Sequence, residues 1–135
     1  MRGQRLRGTL VPVSLRCLIV DDNEAFLAAA TTMLEREGVT IVGTSLSSAD
    51  AVRSVDALRP DVVLVDVSLG EENGFDLARV LDDDHHAGGA DIVLISTRSR
   101  TELAELIERS PARGFIAKAD LSGDAIRSLL GRDPG

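Results

Sequence analysis

The chain has 135 residues with 15 basic and 22 acidic side chains, a net charge of −7. That is one ordinary domain, too acidic to hold nucleic acid by bulk positive charge, with no tyrosine or tryptophan and only three phenylalanines on which bases could stack. A composition of 44% apolar and 27% charged residues is globular rather than disordered, and one cysteine excludes a disulfide scaffold.

Residues 1–14 hold Arg2, Arg5 and Arg7 and no acid. They lack the apolar stretch of roughly 7–15 residues that a secretion signal needs, so they read as a flexible extension, within which Val11 to Val13 could begin a strand. Beyond Arg16 the body, residues 17–135, carries 11 basic and 22 acidic groups, a net of −11. No apolar run approaches the roughly 20 residues of a membrane span, and a cytoplasmic protein is expected.

Five short runs rich in Val and Ile follow: Leu15–Val20, Thr40–Ser45, Val62–Val65, Ile92–Ser96 and Gly114–Ala117. Each is too short for a helix, and continuous apolar runs suit strands covered on both faces. Cys17 lies in the first and reads as a small buried hydrophobe. Helical stripes separate the runs. Phe26, Leu27, Ala30, Met33 and Leu34 form the first, which Gly38 stops. Ala49, Val52, Val55 and Leu58 form the second, with Ser47 or Ser48 as cap and Pro60 as terminator. Gly74, Leu77, Ala78 and Leu81 form the third. Leu103, Leu106 and Ile107, closed by Pro111, form the fourth. Ala125, Ile126, Leu129 and Leu130, closed by Gly131, form the fifth. Five β-α units in a row predict an α/β fold, a doubly wound five-stranded parallel sheet with right-handed crossovers over residues 15–131. A tail of residues 132–135 follows, so no output domain is expected on this chain. Asp82-Asp83-Asp84-His85-His86 reads as a solvated helix end before Gly88-Gly89 rather than a metal site.

Ligands of an open parallel sheet bind at the carboxyl ends of its strands. The first strand ends on Asp21-Asp22, the third on Asp66, the fourth on Ser96-Thr97 and the fifth on Lys118. Two carboxylates about 4 Å apart repel by roughly 4 kcal/mol at an effective dielectric of about 20. A hard divalent cation removes that conflict, and Mg²⁺ is ordinarily held by one or two carboxylates with waters and phosphate oxygens. A carboxylate in such a site can attack phosphorus, with an ammonium and hydroxyls on the transferring oxygens. Lys118 is the only lysine beside 14 arginines. Arg at that one place would have served a surface charge equally well, so a compact ammonium is expected to be needed there.

The segments LIVDDN (Leu18–Asn23), VLVDVSLGEENG (Val63–Gly74), IVLIST (Ile92–Thr97) and GFIAKAD (Gly114–Asp120) together resemble the receiver domain of bacterial two-component response regulators, over about residues 15–131. The resemblance implies a flavodoxin-like strand order 2-1-3-4-5. It implies Asp66 as phospho-acceptor, and Mg²⁺ held by Asp21, Asp22, Asp66 and the backbone carbonyl of Ser68. It further implies Ser96, the Thr97 backbone and Lys118 against the phosphoryl group, and Ser96 with Phe115 as the moving pair of a switch. The partners it implies are a histidine kinase or histidine phosphotransfer protein, and a downstream protein on the face of the fourth helix, fifth strand and fifth helix. A homodimer is compatible with it, and direct DNA binding is not expected. Such a domain catalyses only its own phosphorylation and dephosphorylation.

The chain departs from the family pattern twice. Gly70 stands where receivers usually have Pro, which predicts a looser loop after Asp66. Ala119 follows the lysine where Pro is usual, leaving the Lys118–Ala119 bond geometry open. Simpler roles exist: Asp22 as helix N-cap, Ser96 as a turn hydroxyl, Phe115 as core packing, Arg98 and Arg100 as solvated charges. A receiver serving as a fixed binding module is the alternative function. A haloacid-dehalogenase-type phosphatase would need a second Asp where Ser68 stands, and no nucleotide P-loop is present.

Overall fold

The computed structural model describes residues 4–6, 9–11, 14–82 and 89–131. Asp83 to His86 and the tail 132–135 lie outside them. The stretch 1–14, expected to be flexible, contains a two-stranded antiparallel pairing of β1 (Gln4–Leu6) with β2 (Thr9–Val11), separate from the main sheet.

The main sheet consists of β3 (Arg16–Val20), β4 (Thr40–Ser45), β5 (Val62–Asp66), β8 (Asp91–Ser96) and β9 (Gly114–Ala117). All neighbours are parallel, in the order β4-β3-β5-β8-β9. Counting only these five along the chain, this is the expected 2-1-3-4-5. Directly after β5 the short strands β6 (Ser68–Leu69) and β7 (Glu72–Asn73) form a hairpin that the sequence patterns did not announce.

Strand residues alternate between two apolar layers. Leu18, Val20, Val63, Val65, Ile92 and Leu94 face α2 (Ser48–Leu58), α3 (Gly74–Asp82) and α4 (Arg100–Arg109), where Val55, Leu77, Leu81 and Leu103 meet them. Cys17, Ile19, Val62, Leu64, Val93 and Ile95 face α1 (Glu24–Arg36) and α5 (Gly123–Leu129), against Leu27, Leu34 and Ile126. Each fully buried Leu or Ile contributes about 1.5–3 kcal/mol, so the central strands anchor the sheet. Cys17 is fully buried, and desolvation pushes its thiol far above its ordinary range, as expected of an inert hydrophobe. Leu106, placed in the fourth stripe, is instead 46% exposed. Only Leu103 of that stripe is buried and Ile107 partly.

The helix ends follow local chemistry. Asn23, not Asp22, caps α1, accepting from the Phe26 N–H at 3.1 Å. Ser47 caps α2. Ser99 and Glu102 make a reciprocal capping box on α4. Arg59 closes α2 in the left-handed region at φ +49°, ahead of Pro60. Its carbonyl and that of Leu58 accept from the Arg16 guanidinium at 2.6 and 2.7 Å. A side chain at that backbone conformation carries strain that glycine lacks. Arg59→Gly is expected to raise stability by about 0.5 kcal/mol, since it keeps the carbonyl that Arg16 binds. A urea midpoint that falls would contradict this. No helix among the described residues is long and apolar enough to cross a membrane.

Candidate functional site: an acidic pocket at the carboxyl edge of the sheet

Parallel register brings the ends of β3, β5, β8 and β9 to one edge. Asp21 leaves β3 fully buried, and its N–H donates to the Ser45 carbonyl at 3.0 Å. Its Oδ1 accepts the Asn23 N–H at 2.9 Å. Asp66 ends β5 and is buried, with Oδ1 accepting the Ser68 N–H at 3.1 Å. Asp22 is exposed. One carboxylate oxygen from each of the three lies within 4.8 Å of the others.

Lys118 reaches into this cluster from the end of β9. Its Nζ lies 2.6 Å from Asp21 Oδ2 and 3.1 Å from Asp66 Oδ2. The ammonium donates a hydrogen bond to Asp66. Towards Asp21 the approach is close but poorly aligned: Oδ2 is fully enclosed and has no hydrogen-bond partner. The enclosed Asp21 Oδ2 is thus held by the ammonium as an ion pair. Burial raises the Asp66 pKa above its ordinary value and the Asp21 charge adds to the rise, outweighing the Ser68 N–H and Lys118. Burial pulls the Lys118 pKa down, but the two carboxylates outweigh it and the net direction is up.

Three oxygen-donor carboxylates with their oxygens gathered within 4.8 Å fit a hard divalent cation such as Mg²⁺. Gly70 helps to shape the pocket's rim. It sits at φ +64°, and a Cβ there would lie 3.4 Å from Asp22 Oδ2. The loop it belongs to carries pairing of its own. The β6–β7 pairing closes it, and Glu72 ties it to α2 by accepting the Ser48 N–H at 2.9 Å. The Lys118–Ala119 bond is trans and leads into a 3-10 turn, Lys118–Asp120.

Asp21, Asp22, Asp66 and Lys118 therefore come together as the strand ends predicted. Ser96 ends β8 on the same edge, paired in register with Ala117. It is buried, and its Oγ accepts the Arg98 N–H at 2.9 Å, the geometry of a turn hydroxyl. Ser68 and Thr97 are exposed. Phe115 is buried in the layer that holds Leu103.

Arg98 stays solvated, paired with Glu102. Arg100 is exposed as well, and in addition its guanidinium lies 5.6 Å from the centroid of the Phe115 ring and donates to the Phe115 carbonyl at 2.9 Å. Two further residues went unassigned. Phe26, read as core stripe, places its ring 4.2 Å from Lys118 Nζ. Gly74, read as part of a helix stripe, packs directly on the Asp66 carbonyl. A signal existed for Phe26, since an aromatic in the first turn after a strand-end acidic pair faces the same edge as the acids.

A model of the response regulator receiver domain family matches residues 17–128. The DNA-binding response regulator MtrA of Mycolicibacterium paratuberculosis is 35% identical over 105 residues, 76% of this chain and 44% of that protein. The DNA-binding transcriptional activator EvgA of Escherichia coli K12 is 24% identical over 115 residues, 85% of this chain and 55% of that protein. The chain spans about half the length of these curated relatives. Among solved structures, the signal receiver domain of NarL from Mycobacterium tuberculosis superposes with a TM-score of 0.76 at 22% identity, over 90% of this chain and 100% of that one. At that identity the likeness speaks for a shared fold. The family match runs from the first core strand into the last helix, so it takes in both the sheet and its acidic edge, and the chain belongs to the response regulator receiver domain family.

Proposed function

We propose that this domain is a phosphorylation switch in which Asp66 accepts a phosphoryl group from a phosphohistidine of a kinase or phosphotransfer protein. The observation that carries the reading is the buried Asp66 carboxylate, set between two further acids and the only lysine. An Asp66 carboxylate oxygen attacks phosphorus, the phosphorus–nitrogen bond breaks, and the histidine leaves with the electron pair. Asp21, Asp22, Asp66 and the Ser68 carbonyl would hold Mg²⁺. That ion would supply positive charge to the transferring oxygens. Lys118 adds its ammonium on the same side, already aimed at Asp66. Ser96 and the Thr97 N–H lie at the end of the neighbouring strand, suited to contact the phosphoryl oxygens after Ser96 exchanges its bond to Arg98. Phe115 and α4 would then move together, because Arg100 ties them, and the α4–β9–α5 face would present the change to a partner protein. An acidic domain is not suited to bind DNA itself, and the DNA-binding named for the relatives is theirs.

Incubation with acetyl phosphate and Mg²⁺ is expected to add one phosphoryl group, seen by intact mass, and chelation or Asp66→Asn to abolish it. Labelling that persists in Asp66→Asn overturns the assignment. A fixed binding module is the competing reading, favoured by a Phe115 that is already buried. Mg²⁺ separates the two. A working acidic pocket gains about 1.4 kcal/mol when the ion stands at tenfold its Kd, whereas an unchanged Tm at millimolar Mg²⁺ supports the fixed module.

A further inference from the structure

Two of the chain's three phenylalanines lie under a cation. One of these cations is the ammonium of the acidic pocket. The Phe26 ring centroid lies 4.2 Å from Lys118 Nζ, well within the roughly 6 Å range over which a ring face attracts a cation. The contact belongs to a closed circuit. Asp21 Oδ1 accepts the Asn23 N–H at 2.9 Å, and Asn23 Oδ1 accepts the Phe26 N–H at 3.1 Å. The ring of Phe26 meets the ammonium of Lys118, and that ammonium returns to Asp21 Oδ2 at 2.6 Å. The same acid thus fixes both the start of α1 and the cation over the ring.

We infer that Phe26 is a positioning residue for Lys118: its ring face holds the ammonium between Asp21 and Asp66, and so governs how fast Asp66 takes a phosphoryl group. The kinetic half of this rests on Asp66 being the acceptor; the geometric half does not. A lysine has four rotatable bonds and a compact, strongly hydrated head. Without the ring, water competes for the ammonium and its alignment with Asp66 Oδ2 loosens. Phe26 also packs beside the apolar layer of α1, and Phe26→Leu keeps that packing while removing the ring face.

The single lysine makes the test direct. In protein labelled with ¹³C-lysine, one ε-methylene signal is present, and ring current from Phe26 is expected to shift it upfield of free lysine. Phe26→Leu should return the signal towards the free position, and Phe26→Tyr should keep it shifted. With acetyl phosphate and Mg²⁺, the acetyl oxygen–phosphorus bond breaks and acetate leaves as Asp66 is phosphorylated. Phe26→Leu should slow this about three- to tenfold, equivalent to roughly 0.6–1.4 kcal/mol, and Phe26→Tyr should stay within about twofold of wild type. An unshifted wild-type ε signal overturns the inference even if Phe26→Leu fails to fold. So does a shift that survives Phe26→Leu, an unchanged Phe26→Leu rate, or a Tyr variant as slow as Leu. If wild type takes no phosphoryl group, the acceptor reading falls, and the ε signal alone decides the positioning.

Discussion

Lys118→Met should lower stability by about 3 kcal/mol in the absence of divalent ions, or about 10 °C in Tm for a domain of this size. Among the described residues the lysine is the only cation paired with Asp21 and Asp66, whose side chains are 0% and 8% exposed. Its removal leaves two enclosed carboxylates facing each other and Asp21 Oδ2 without any partner. Methionine fills a similar volume, so the loss isolates charge from packing. Mg²⁺ should return much of the loss, and so should Asp66→Asn made in the Met background. The two substitutions together should cost less than their separate effects predict, since Asp66 is the group the lysine neutralises. Acetyl phosphate labelling should fall by about a hundredfold or more, as when a donor to developing charge is removed.

The pH dependence has a defined sign. The folded-state pKa of Lys118 is raised above its ordinary 10.5, so its contribution is complete below that value and is lost as pH climbs through the folded pKa. The gap between wild type and Lys118→Met should therefore narrow in strong alkali. It should narrow in acid as well. The Asp66 pKa is raised above 3.8, so that carboxyl neutralises early as pH falls and no longer needs the ammonium. Thermal melts of both proteins across pH measure this. Equal stability of the two at neutral pH, with and without Mg²⁺, would mean that the lysine does not balance the pocket.

Gly74→Ala should have an effect at least as large by a different cause. A Cβ at Gly74 would lie 2.8 Å from both the Asp66 carbonyl carbon and Val67 Cα, and nearer still to the Asp66 carbonyl oxygen. These are backbone atoms that cannot swing aside. The Gly74 N–H also donates to the Val67 carbonyl at 3.0 Å, so α3 is clamped to the segment that follows Asp66. One methyl group must push the helix and the segment apart. We expect a loss of about 3 kcal/mol or more, in the range of severe overpacking. The Asp66 loop should be displaced, with weaker Mg²⁺ stabilisation in whatever fraction folds. Urea denaturation with and without Mg²⁺ checks both, and a substitution costing under about 1 kcal/mol would show that the contact yields.

The fold was legible because a parallel sheet covered on both faces demands unbroken apolar runs, and those at Val62–Val65 and Ile92–Ser96 have no other reading of that length. The four charged pocket groups were legible for a related reason. In a parallel sheet every strand delivers its last residue to the same edge, so Asp21, Asp22, Asp66 and Lys118 are brought together by topology alone. Contacts that depend on which way a side chain turns were not legible. Phe26 and Arg100 each lie on a helix of their own, and only the packed structure shows which ring or cation they meet. The hairpin β6–β7 rests on pairs of two residues, too few for a pattern to register. Ser96 was placed at the correct edge, yet its hydroxyl engages Arg98 N–H, a choice made by the turn.

An all-parallel sheet also governs when the pocket can exist. Parallel neighbours cannot be joined by a tight turn, so each pairing must close a long loop and contact order is high, which slows folding. Lys118 and Asp66 are 52 residues apart and meet across a sheet that needs β8 between them. A chain with only its first three main strands assembled would already hold three crowded acids and no cation. The ammonium arrives with the last strand. Intermediates lacking β9 are thus penalised by their own charge, which favours all-or-none assembly, and a divalent ion should lighten that penalty and speed the late steps of refolding.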